Sequence, residues 1–118
     1  MGKIMVTVEL PQHQYDSLQR INASQGGTPS QLLSFFLAET DLTSIEPFIE
    51  IGEQRVTERF YLLTEDKKRL DSRAKITKQK NPKAGIGAII RGVLEVAIRA
   101  TAPGGGRTLI SRKINPYS

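Results

Sequence analysis

The chain begins with an alternating pattern. In Ile4-Met5-Val6-Thr7-Val8-Glu9-Leu10, the residues Ile4, Val6, Val8 and Leu10 fall on one side, and Met5, Thr7 and Glu9 on the other. A period of two with β-branched residues predicts a strand buried on one face. Pro11 has no N–H to give to a ladder, so pairing is expected to stop there and a helix to start. Residues 12–25 follow with Tyr15, Leu18 and Ile21 at helical spacing, and Gln25-Gly26-Gly27 ends them. Thr28-Pro29-Ser30 then opens a second helix, with Thr28 as N-cap and Pro29 in the first helical position. That helix, over about 29–41, turns Leu32, Leu33, Phe36 and Leu37 inward.

After a linker at 43–54, whose Ile45, Phe48, Ile49 and Ile51 imply packing, the pattern returns. Arg55 to Leu62 alternates, with Val56, Phe60 and Leu62 on one side and Thr57, Arg59 and Tyr61 on the other. Glu58 falls on the apolar side, which the alternation does not explain. Thr64-Glu65-Asp66 caps a helix over about 65–78, its acids in the turn where the helix dipole favours them. A loop around Asn81-Pro82-Lys83 leads to a last helix, about 84–101, carrying Ile86, Ile89, Ile90, Val93, Leu94, Ala97 and Ile98. Setting Leu10 on Leu62 superposes Thr7 on Arg59, Met5 on Thr57 and Glu9 on Tyr61, and Leu33 falls with Ile90. The chain therefore divides into one unit at 1–42, the linker, a second unit at 55–102 and a glycine-rich basic tail at 103–118, expected to be flexible.

Neither strand is stable with a bare edge, so the two are expected to pair antiparallel within one chain, Thr7 opposite Arg59. The fold class is then α+β and mostly helical, with one shared core holding Val6, Val8, Leu10, Leu18, Leu33, Phe36, Phe60, Leu62, Leu70, Ile90 and Leu94. The outer face of such a ribbon shows Met5, Thr7, Glu9, Thr57, Arg59 and Tyr61. A two-stranded ribbon fits the major groove of duplex DNA, and Thr and Arg are good readers of base edges. The starts of the later helices would lie nearby and offer backbone N–H groups to phosphates.

Composition narrows the chemistry. At 118 residues and 38% hydrophobic the chain suits one compact domain, and with 6% aromatic residues its core must be mainly aliphatic. No apolar run approaches the ~18 residues of a membrane span and no signal-peptide pattern opens the chain, so a soluble, cytoplasmic protein is expected. Without Cys and with His13 alone, no disulfide, zinc site or thiol nucleophile is available. No catalytic residue, metal or cofactor is expected, and His13 is read as solvated. Gly85-Ile86-Gly87 with Gly92 follows a lysine-rich loop rather than a strand, so it reads as close packing or a tight helix start, not a dinucleotide site. Charge is uneven. Residues 1–46 carry two bases against five acids, whereas residues 47–118 carry fifteen against seven, within a net +5. The second part is suited to a polyanion.

Val6-Thr7-Val8-Glu9-Leu10-Pro11, the helix through Leu18, the Gly26-Gly27 turn and Thr28-Pro29-Ser30-Gln31-Leu32-Leu33 resemble a ribbon-helix-helix unit of the Arc and Met repressor family. Arg59-Phe60-Tyr61-Leu62, Thr64-Glu65-Asp66 and Ile89-Ile90-Arg91-Gly92-Val93-Leu94-Glu95 resemble a second copy. The resemblance implies an intrachain pseudo-dimer of two units. It also implies a sequence-specific double-stranded DNA binder, acting as a transcriptional repressor or as a plasmid or phage accessory factor. By position, the family's base readers fall on Met5, Thr7, Glu9, Thr57, Arg59 and Tyr61. Its phosphate-binding helix start falls on Thr28 and Ser30, and more loosely on 83–87 in the second copy. Lys78, Lys80 and Lys83 are expected to add phosphate contacts. Met5 and Glu9 depart from the usual readers, since a carboxylate near phosphates is repelled unless it accepts from a cytosine amine. Further pairing of chains on DNA stays open. The rival reading is a protein-interaction module of the antitoxin kind.

Overall fold

The structure, a computed structural model, describes residues 2–100. Strand β1 (Lys3–Pro11) runs directly into helix α1 (Gln12–Gln25), followed by α2 (Pro29–Glu39) and a short 3-10 turn (Leu42–Ser44). Strand β2 (Arg55–Leu63) runs directly into α3 (Thr64–Lys80), followed by α4 (Ile86–Ala100). The architecture is α+β and mostly helical, with a single two-stranded antiparallel sheet among the described residues. The ladder pairs Lys3 with Leu63 through to Pro11 with Arg55, and Thr7 lies opposite Arg59. Pairing thus reaches Pro11 itself, and α1 follows without a loop. The expected flexibility of 103–118 concerns residues outside those described.

Local chemistry accounts for most boundaries. Gly26 ends α1 at φ 72°, a conformation open to glycine, and its N–H closes back on Asn22 C=O. Thr28 caps α2 as expected and completes a capping box: Thr28 Oγ1 accepts from Gln31 N–H, and Gln31 Oε1 accepts from Thr28 N–H. The second strand ends differently from the expectation. Helix α3 already includes Thr64, the N-cap position is Leu63, and no side chain caps it. Glu65 and Asp66 do occupy the first turn, and Lys78 and Lys80 the last, matching the helix dipole at both ends.

One hydrophobic cluster joins both halves of the chain. It contains Val8, Leu10, Leu18, Leu33 and Phe36 from the first and Phe60, Leu62, Leu70, Ile90 and Leu94 from the second. Val6 packs against it but is only partly buried, and Ile4 is 37% exposed despite its place on the apolar side. Both precede the part of β1 that the helices cover most fully. The linker lies over α4: Phe48 N–H donates to Ala88 C=O at 2.9 Å. It passes so close to Gly92 that a Cβ there would meet Glu46 C=O and stand 2.7 Å from Ile45 Cγ2. Gly92 therefore allows close packing of the linker on the helix, not of one helix on another.

Candidate nucleic-acid interface

The ladder's hydrogen-bonding parity sets which side chains come together. Gln12 N–H donates to Gln54 C=O just beyond the last pair, so even-numbered positions of β1 form the hydrogen-bonded pairs. The odd positions, whose side chains approach more closely, form the outward row. Along it Glu9 faces Thr57, Thr7 faces Arg59 and Met5 faces Tyr61. All six are exposed, Met5 at 51% and Tyr61 at 49%, while Val8, Leu10, Phe60 and Leu62 beneath them are buried. Two further pairs have the same parity, Lys3 with Leu63 and Pro11 with Arg55, and of these Lys3, Leu63 and Arg55 are exposed while Pro11 is buried. Alternation in the sequence points to the six central positions, and Lys3, Arg55 and Leu63 share their parity two residues further on.

Both outer edges of the ribbon are held. Tyr61 N–H donates to Ser30 Oγ at 2.8 Å, which fixes the start of α2 against β2. On the other edge Arg91 Nη1 donates to Glu9 C=O at 3.0 Å, while Arg91 Nε donates to Phe48 C=O at 2.8 Å. Arg91 is 7% exposed, and burial draws its guanidinium below the usual arginine range, with Glu9 opposing and Arg55 adding to that effect. It is a clamp that sequence reasoning missed: it sits between Ile90 and Gly92 in an apolar run, and its partners are 82 and 43 residues away. Beside it, Gln14 is fully buried and its Nε2 donates to Arg91 C=O and Glu95 Oε1. His13 is not merely solvated, since its Nε2 lies 3.2 Å from Glu95 Oε1.

Charge along the outward row is specific. Glu9 accepts from Arg55 Nη1 at 3.3 Å, a partly exposed pair at the end of the ribbon. Arg59 makes no ion pair among the described residues, although its backbone N–H donates to Glu58 Oε1 at 3.0 Å. That bond accounts for Glu58: its side chain turns back along the strand edge and is only half-buried.

The positions expected at phosphates divide into groups. Thr28 and Ser30 line a cleft beside the ribbon together with Lys3, Arg59 and Tyr61, and with Glu58, whose carboxylate opposes an anion there. Pro29 has no N–H, Gln31 N–H is held by Thr28 Oγ1 and Leu32 N–H by Thr28 C=O, so these cap bonds do not take up the Ser30 N–H of that turn. At the other helix start, Gly85 offers no side chain to cap α4, Gly87 lies near Val8, and the aliphatic end of Lys78 lies against Gly85. Lys83 is exposed in the preceding loop, whose turn is closed by Lys83 N–H donating to Asn81 Oδ1. Lys80 stands apart, beside the linker with Glu46, Ile49 and Arg73. No helix of the described residues is long and apolar enough to cross a membrane. No protein-family model, curated protein or solved structure matches the chain.

Proposed function

We propose that the protein binds duplex DNA sequence-specifically, through two ribbon-helix-helix units of one chain whose shared ribbon enters the major groove. The role that suits such a module is a transcriptional repressor or a plasmid or phage accessory factor. The observation that carries this reading is the outward row of the ribbon, where Arg59 stands exposed at the centre of six accessible side chains and makes no ion pair among the described residues. An exposed guanidinium next to a threonine matches the donor and acceptor pattern of guanine and its neighbours. The helix starts flanking the ribbon, with the Ser30 N–H on one side and Lys78 on the other, are suited to phosphates.

The test is a titration of binding against salt on random and on selected duplexes. A DNA binder loses affinity steeply with salt on both, and holds the selected site more tightly. A flat response would instead favour a protein partner for the ribbon face.

A further inference from the structure

The backbone of the ladder is centred on Thr7 and Arg59, yet the side chains on either side of that centre do not repeat. The corresponding positions are Met5 and Thr57, Thr7 and Arg59, Glu9 and Tyr61, and they differ in each case. Antiparallel pairing then sorts them by end. One end gathers Met5, Tyr61 and Leu63, exposed at 51%, 49% and 43%. The other holds Glu9, Thr57 and Arg55.

We propose that the ribbon reads a non-palindromic site in one fixed orientation, with thymines under the Met5–Tyr61 end and a cytosine within reach of Glu9. This rests on the DNA-binding reading above. In the major groove an apolar side chain finds its complement in the thymine methyl, whereas a carboxylate accepts from the cytosine amine. Arg55, 3.3 Å from Glu9, offsets the negative charge that would otherwise repel the flanking phosphates. A palindrome presents two equal halves, so one half always meets the wrong end of this ribbon.

Selection from a random duplex library with the full chain is expected to enrich an asymmetric site, rich in thymine at one end and carrying cytosine at the other. Its orientation can be read with Lys3→Cys bearing a DNA-cleaving iron chelate, since the chain has no other Cys to label. Cleavage should fall at the thymine end. Replacing those thymines by deoxyuridine removes only the methyl and should weaken binding roughly 3- to 5-fold. The same replacement outside that end should have little effect. The triple variant Met5→Thr, Thr7→Arg, Glu9→Tyr gives both strands the β2 readers and should shift selection to a palindrome. Glu9→Gln, a milder change, should relax only the cytosine end. Selection of a palindrome by the parent chain, cleavage at the cytosine end or indifference to deoxyuridine would overturn the oriented reading while DNA binding stood. Failure to enrich any sequence would instead overturn DNA recognition itself.

Discussion

Thr7 and Arg59 face each other at the midpoint of a nine-pair ladder, with four pairs on either side. Their side chains share the outward face, and Glu9, the nearest acid on that row, is bonded to Arg55 rather than to Arg59. A purely solubilising role for Arg59 through a diagonal pair with Glu9 is therefore not what the side chains adopt. Arg59→Ala is expected to lower affinity for the selected site by about 1–3 kcal/mol and to leave most non-specific binding intact. Footprinting on selected and scrambled duplexes measures both, and unchanged discrimination would remove Arg59 as a reader.

Lysine substitutions should behave in the opposite way. Lys78→Gln and Lys83→Gln, near the start of α4, are expected to weaken binding to all sequences and to reduce the salt slope by about one unit per lost phosphate contact. Lys80→Gln, beside the linker, should change the slope least of the three. Equal slopes in all three variants would argue against a phosphate contact at this helix start.

The core offers a direct test of the packing. Leu33 and Ile90 are fully buried in the shared cluster, and truncating either to Ala should cost about 2–5 kcal/mol in denaturant unfolding. Variants that unfold with the parent would contradict this placement of α2 and α4.

Gly92→Ala is expected to destabilise although alanine favours helices. The new Cβ would press on Glu46 C=O and Ile45 Cγ2, at a cost of about 1–3 kcal/mol for overpacking. The gain in helix propensity is about 1 kcal/mol and acts the other way. Because Ile45 is buried, the linker has little freedom to retreat. A melting temperature above that of the parent would show that it can.

Acid should loosen the contact of α1 with α4. Burial pushes the Glu95 carboxyl up, but hydrogen bonds from Gln14 and His13 and the charges of His13 and Arg99 outweigh it and hold it below its ordinary value. A carboxylate lowered in the folded state stabilises above its unfolded pKa, roughly 4.3, and that stability is lost as pH falls through the lower folded value. Glu95→Gln should therefore flatten the decline of melting temperature on the acid side of about pH 5, where the parent is more sensitive. Parallel curves for the two proteins would rule out this contribution.

Much of the fold was readable from short-range pattern. Alternation marked both strands, and Thr28-Pro29 marked α2 because a cap and a proline act within a few residues of themselves. The outward row followed from parity alone. What escaped notice depends on distant partners. Arg91 and Gln14 look like ordinary polar positions until the linker and β1 arrive with their carbonyl groups and α4 with its own. Thr64 looked like a cap because its neighbours are acidic, yet the strand runs on to Leu63 and leaves it inside the helix. The difference between Lys78 and Lys80 was equally hidden, since it depends on where the linker crosses.

The intrachain ladder also bears on how the protein behaves at low abundance. When a ribbon is shared between separate molecules, its stability falls with dilution, because folding and association are one equilibrium. Here β1 and β2 are tethered, and the entropy of closing the intervening segment grows only with the logarithm of its length. A few molecules per cell would hold their ribbons as fully as a concentrated sample, and the unfolding midpoint should not move across a hundredfold range of protein concentration.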